Sequence, residues 1–129
     1  MNYLIDTNAW IGFFEGCEDF GEKAKSIMSE SPGSCHISMA GIWEAAIKTG
    51  LGKLILPYRL TDELPRLIEQ NGFQILQITW EDATSVQDLE RHHNDPFDRL
   101  QVVQARRRGW QVISRDQIFD QYALTRIWA

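Results

Sequence analysis

Four short apolar runs, separated by stretches whose apolar residues recur at helical spacing, restrict this chain to very few architectures. The runs are Tyr3-Leu4-Ile5, Cys35-His36-Ile37, Phe73 to Ile78 and Trp110 to Ser114. Runs this short, bounded by turn residues, read as strands buried on both faces. Between them, Trp10 to Phe14 forms an apolar helix that closes near Gly16. Phe20, Ala24, Ile27 and Met28 mark a second helix, with Asp19 as its expected N-cap and Glu22 three residues on. Ser31-Pro32-Gly33 breaks that pattern. Ser38 is placed to cap a third helix, in which Ile42, Trp43, Ala46 and Ile47 form one stripe. Thr61 opens a fourth with Leu64, Leu67 and Ile68 inward, and Gly72 closes it. Thr79 with Asp82 spells a capping box for a fifth, whose buried face continues through Ala83, Val86 and Leu89. Pro96 suits the first position of a sixth helix, which Gly109 stops. A short helix around Ile118 and Phe119 and the apolar Ile127-Trp128 complete the chain. Strands alternating with helices specify a mostly parallel central sheet covered on both faces, a three-layer α/β/α sandwich with right-handed crossovers. A length of 129 residues fits one domain, 1–129, around a single core.

Composition removes several classes. With 43% hydrophobic and 24% charged residues the chain is neither disordered nor fibrous. No apolar run approaches the roughly 20 residues of a membrane helix, and the start lacks the basic, apolar and small-residue order of a secretory signal. The expected compartment is the cytosol. Cys17 and Cys35 lack the number and spacing of a zinc site and are expected as small buried hydrophobes. The net charge of −5 argues against gripping nucleic acid by bulk charge. It is compatible with such a partner if part of the acidic excess is a cation-binding cluster.

Carboxylates recur where such a cluster would need them. Asp6 follows the first strand at its carboxyl end, the rim where open α/β sheets bind ligands. Glu44 lies beside the stripe of the third helix, Asp98 begins the sixth, and Asp116 follows the fourth strand. Asp95, three residues before Asp98, can share its helix face. Singly, each has an ordinary explanation: Asp6 and Asn8 as caps, Glu44 as a solvated residue, Asp98 paired with Arg99, Asp116 opening a turn. Together on one rim they favour a metal site, because crowded carboxylates stay ionised only beside a cation. Hard oxygen donors of this kind select Mg²⁺ or Mn²⁺. Such ions suit phosphate substrates and can activate water against a phosphodiester. His92 and His93 lie in the loop before Pro96 and stay outside this set.

Four ordered segments carry a family resemblance. They are Leu4-Ile5-Asp6-Thr7-Asn8; Ser38 with Ile42-Trp43-Glu44-Ala45-Ala46-Ile47-Lys48 and Leu51-Gly52-Lys53-Leu54; Asp95-Pro96-Phe97-Asp98-Arg99 with Gln104-Ala105; and Ser114-Arg115-Asp116. In this order they resemble the PIN-domain family and, within it, the VapC-like toxin ribonucleases of bacterial toxin–antitoxin pairs. The resemblance implies a PIN-like fold and an Mg²⁺- or Mn²⁺-dependent endoribonuclease. Asp6, Glu44, Asp98 and Asp116 match its acidic quartet, with Asp95 an accessory or alternative ligand. Thr7, Asn8 and Ser114 match supporting polar positions, although capping explains Thr7 equally well. Ser114 stands where the family often has Thr, which keeps the hydroxyl. A cognate antitoxin and a homodimer are also implied. Lys48, Lys53, Arg99, Arg106, Arg107, Arg108 and Arg115 could meet phosphates, while Arg106 to Arg108 also complement a helix dipole. Trp10, Phe13 and Phe14 either form a groove for an antitoxin helix or pack the core, the latter being the more ordinary use. The competing readings are a metal-dependent DNA nuclease or phosphatase on the same fold, and a non-catalytic PIN-like binding scaffold.

Overall fold

The computed structural model describes residues 1–129. Five strands form one sheet: β1 (Tyr3–Ile5), β2 (Cys35–Ser38), β3 (Gln74–Leu76), β4 (Gln111–Ile113) and β5 (Arg126–Ile127), in the order β3-β2-β1-β4-β5. Every pairing is parallel. The helices are α1 (Thr7–Glu15), α2 (Glu22–Glu30), α3 (Met39–Gly50), α4 (Glu63–Gln70), α5 (Trp80–Ser85) and α6 (Pro96–Arg108). Successive strand residues point to opposite faces, and both faces are covered. Ile5, Ile37 and Ile113 pack with Trp10, Met28 and Leu64 on one side. Leu4 and Val112 pack with Val102, Val103 and Phe119 on the other. The three-layer α/β/α sandwich expected from the alternation is the observed fold. No helix is long and apolar enough to cross a membrane.

Local signals that rest on hydrogen-bonding chemistry are realised. Ser38 accepts from the Ala40 amide at the start of α3. Thr79 and Asp82 make both bonds of a capping box. Pro96 sits in the first turn of α6, and Gly109 ends that helix at φ 70°, a left-handed conformation natural to glycine. Two expected caps are not made. Asp19 does not cap α2, whose N-cap is Gly21; its carboxylate is taken by Arg115 at 2.7 Å. Thr61 does not cap α4, which begins at Glu63 beyond a turn in which Arg59 binds Asp62 twice.

Other departures follow from packing. The third strand is shorter than its apolar run: Phe73 is buried ahead of β3, and Ile78 lies beyond it. A fifth strand forms at Arg126–Ile127, where the sequence marked only an apolar stretch. Of the predicted stripe of α3 only Ile42 packs against the core, while Trp43 is 57% and Ile47 39% exposed. Its buried side is Ala40, Gly41, Glu44 and Ala45, because only small residues allow α3 to approach α1. A methyl group on Gly41 would lie 2.6 Å from Thr7 Oγ1. Helix α5 ends at Ser85, and its buried residue is Asp82 rather than Ala83. Asp82 is bound by Arg107 and Arg108 across to α6. Cys35 is buried as expected, but Cys17 is exposed. Trp10 is fully buried and Phe13 and Phe14 pack against the same core, so these rings serve packing.

Close approach of Trp128, just after β5, to Gly21 at the N-cap of α2 yields a test. A Cβ built on Gly21 would lie 2.2 Å from the Trp128 carbonyl oxygen, an atom that also accepts the Ala24 amide at 3.0 Å. The neighbour is backbone, so it cannot rotate aside. Gly21→Ala should therefore destabilise by about 1–3 kcal/mol, the usual cost of overpacking, measured as a lower urea midpoint at unchanged m-value. An unaltered midpoint would contradict this packing.

Candidate metal centre

Parallel register places three polar residues side by side. Ile5 pairs with Ile37 and with Ile113, so the next residues, Asp6, Ser38 and Ser114, emerge together at the carboxyl ends of β1, β2 and β4. All three are buried. The Asp6 amide donates to the Ile113 carbonyl at 2.9 Å. Its Oδ1 accepts from the Thr7 amide at 2.8 Å, and its Oδ2 accepts from the Ser114 hydroxyl at 2.9 Å. Capping and site placement are thus one arrangement: the carboxylate that opens α1 is also held on the rim.

Glu44 rises to this rim from α3, and Asp98 from the first turn of α6. Glu44 is only 5% exposed. Its Oε2 accepts from Lys48 Nζ at 2.8 Å, one helical turn on, while Oε1 is buried without a hydrogen-bond partner. Asp98 Oδ2 lies 2.8 Å from His93 Nε2. Asp95 is the N-cap of α6, accepting from the Phe97 amide at 2.9 Å and the Asp98 amide at 3.3 Å through Oδ1. From that position its carboxylate stays beside that of Asp98, on the same side of the first turn. Ligand atoms of His93, Asp95 and Asp98 lie within 4.8 Å of one another. Thr7 Oγ1 accepts from Gln101 at 3.3 Å and is turned into the core.

Asp116 and Asn8 stand at the margin. Both are exposed and line one cavity with Asp6. Ser114 Oγ, which donates to Asp6, accepts from the Asp116 amide at 2.9 Å, while the Asp116 carboxylate caps the turn at Ile118 at 3.0 Å. One hydroxyl thus ties two of the acidic segments together. His93 is the residue that sequence reasoning left out. It sits in an irregular loop, and only the folding of that loop onto α6 brings it to Asp98.

The basic residues divide sharply. Arg99 is buried, and its guanidinium donates to the carbonyls of Glu90, His93, Val86 and Leu89. It holds the 86–93 loop and is unavailable to phosphate. Arg106 pairs with Glu90, and Arg107 and Arg108 with Asp82. That leaves Lys48 and Lys53 as candidates, and Arg115, which is engaged by Asp19.

Electrostatics identifies the groups that share the site. The Asp6 carboxyl is pushed up to about 7, first by burial, then by the charge of Asp98 and, less strongly, of Glu44, against the hydrogen bonds from Ser114 and Thr7. Asp98 is pushed up to about 6 by burial, with Asp95 and Glu44 adding to it and His93 opposing. Lys48 is held more basic than usual by its bond to Glu44. Buried carboxylates that repel one another, one with an orphaned oxygen, are short of positive charge. The donor set is oxygen-rich with one imidazole beside it, which fits Mg²⁺ or Mn²⁺ and not a thiolate metal.

The folded values of Asp6 and Asp98 lie above that of an unfolded carboxyl, near 3.9. The folded protein accordingly holds more protons between about pH 4 and 7, and without a divalent ion its stability falls as pH rises through that window. Metal-free protein should be less stable at pH 8 than at pH 5 on this account. Asp6→Asn should flatten the profile and stabilise the metal-free protein at pH 8, on the order of a few kcal/mol. It should also shrink the stabilisation given by Mn²⁺. Thermal melts at both pH values, with and without Mn²⁺, read all of these, and a variant as pH-sensitive as the parent would refute the assignment of Asp6.

The PIN domain family profile matches residues 3–124. No curated protein matches the sequence. Among solved structures, the chain is similar to VapC20 of Mycobacterium tuberculosis, described as a sarcin–ricin loop cleaving toxin. That similarity has 13% identity and a TM-score of 0.72, over 99% of this chain and 100% of that one. It is also similar to DNA-bound VapBC of Salmonella typhimurium, at 17% identity and a TM-score of 0.73, over 98% and 97% of the chains. VapBC2 of Rickettsia felis, bound to a promoter DNA fragment, matches at 12% identity and a TM-score of 0.66 over the whole of both chains. At such identities the structural likeness speaks for the fold. With the family profile spanning almost the entire chain, the conclusion is that this protein belongs to the PIN domain family.

Proposed function

We propose that this chain is a divalent-metal-dependent endoribonuclease and the toxin of a toxin–antitoxin pair. The observation that carries the proposal is the gathering of Asp6, Glu44 and Asp98 at the carboxyl end of the central strands, with Glu44 Oε1 buried and unpartnered. Such a centre is incomplete without a cation. Asp6, Glu44 and Asp98 would hold Mg²⁺ or Mn²⁺, with Asp95 and Asp116 completing the set from either side. Bound there, the ion would activate water and offset charge on the phosphoryl oxygens.

The chain's own residues do the rest. Ser114 orients Asp6 and, through the Asp116 amide, fixes where the last acidic segment begins. Thr7 supports the rim from below through Gln101. Asn8, exposed beside Asp6, is available to a substrate group. Lys48 restrains Glu44 and supplies a positive charge at the rim. In hydrolysis the oxygen of water adds to phosphorus and one ribose–phosphate bond breaks, leaving two RNA ends. The acidic surface elsewhere suits a small, directed contact with RNA better than a broad electrostatic grip.

The cognate antitoxin and the homodimer come from the family resemblance. VapBC relatives solved as complexes support a protein partner for this chain. The exposed Trp43, Ile47 and Leu51 along α3 support a self-contact, since contiguous apolar surface marks interfaces. Light scattering should return twice the chain mass for the parent and the single mass for Trp43→Glu. A monomeric parent would remove the homodimer.

Cleavage is tested on RNA, single-stranded DNA and a phosphomonoester side by side. RNA should be cut only with Mg²⁺ or Mn²⁺ present. Glu44→Gln should lower the rate roughly a hundredfold or more, the scale of losing one preorganised electrostatic group. Cleavage of DNA alone or release of phosphate alone would reassign the substrate. Failure of calorimetry to detect Mn²⁺ binding would favour the non-catalytic scaffold.

A further inference from the structure

Adjoining the acidic centre is a cavity of about 340 Å³, most of whose lining has no part in the proposed hydrolysis. Asp6 and Asp116 form its wall toward the centre, and Asp19, Phe20, Arg115 and Trp128 are among the residues lining the rest. Its groups are unusually mixed. Phe20 and Trp128 lie in contact, ring centroids 4.5 Å apart, and the Arg115 guanidinium covers the Trp128 ring at 5.4 Å. That guanidinium is neutralised by Asp19, through the carboxylate and the carbonyl, both at 2.7 Å.

We infer that this cavity is a subsite for the nucleobase next to the cleaved phosphodiester, and that it favours bases carrying an exocyclic amine. The inference rests on the ribonuclease reading for what is cleaved, while the subsite itself rests on the cavity's own chemistry. The one cation of the lining is taken by Asp19, so the cavity offers a phosphate no free positive charge of its own. The aromatic and guanidinium surfaces suit a flat, uncharged ring, since bases unstacked from RNA settle on aromatic and arginine planes. Carboxylate oxygens accept from amino groups, as acidic side chains do from cytosine N4. Adenine, cytosine and guanine offer such donors. Uracil offers two carbonyls flanking one N–H, and the acidic wall disfavours it. Because Asp6 belongs to both the cavity and the acidic centre, a base seated here carries its own phosphate to the rim.

The cavity contains a natural probe. Cys17 opens into it and is exposed, whereas Cys35 is buried, with burial pushing its thiol up to about 12. N-ethylmaleimide should label Cys17 alone, and Cys17→Ser should abolish the label. Alkylation followed by mass spectrometry in the presence of adenosine, cytidine, uridine or ribose reads occupancy without any cleavage. Adenosine and cytidine should slow labelling, and uridine and ribose should not. The alkylated protein should cleave RNA about tenfold more slowly, the scale of one lost base–aromatic contact, with Cys17→Ser indifferent to the reagent. Equal protection by adenosine and ribose, or an unslowed rate after alkylation, would overturn the subsite and leave the ribonuclease reading standing. Protection by N-acetylarginine amide but by no nucleoside would assign the cavity to a basic side chain and also overturn it. Nucleoside protection without cleavage of any RNA would keep the pocket's ligand and sink the ribonuclease instead.

Discussion

Everything at the rim depends on the register of β1 between two parallel neighbours. Pairing Ile5 with both Ile37 and Ile113 brings three strand ends to one height. Parallel strands end on the same side, and so the residues that follow them converge without any contact of their own to draw them together. Asp6 and Ser114 then meet at 2.9 Å, 108 residues apart in sequence. The core secures that register, because a slip of one residue would send Leu4 and Ile5 to the wrong faces.

Against that rigid frame the protein concentrates negative charge where burial makes it unfavourable. Burial pushes the Asp6 carboxyl up to about 7 and that of Asp98 up to about 6, and neighbouring carboxylates add to both shifts. Elsewhere the chain is careful to pair such groups. Asp82 is fully buried but has two arginines, a capping amide and Gln104 around it, and is held well below the usual carboxylate range. The contrast between these two buried acidic places separates a structural ion pair from a cluster of carboxylates without such cationic partners. Strain tolerated at one place while relieved at another is characteristic of function.

The helices that deliver the acids are shaped for that task. Helix α3 turns Ala40, Gly41 and Ala45 inward and leaves Trp43 and Ile47 exposed. Ala40, Gly41 and Ala45 bring its axis close to α1, which is how Glu44 reaches the rim. The exposed Trp43 packs edge-on against Phe97 of α6, in the turn that carries Asp98. Positioning of the site and presentation of an apolar surface are two sides of the same helix.

By itself the sequence determined the strand–helix alternation, hence the parallel sheet and its covering on both faces. It also specified those helix boundaries that rest on local bonds, at Ser38, Thr79, Pro96 and Gly109, because period and capping act within a few residues. Carboxylates at strand ends were legible for the same reason, as was the family resemblance in their order. Tertiary structure alone decided which face of α3 is buried, since the stripe of Ile42, Trp43, Ala46 and Ile47 carries no mark of where its partner lies. It alone turned Arg99 inward to four carbonyls, joined His93 to Asp98, gave Asp82 its arginines and opened the cavity between Asp6 and Trp128. Those contacts span loops or distant segments, and their energies depend on who the neighbour is, which spacing along the chain does not encode.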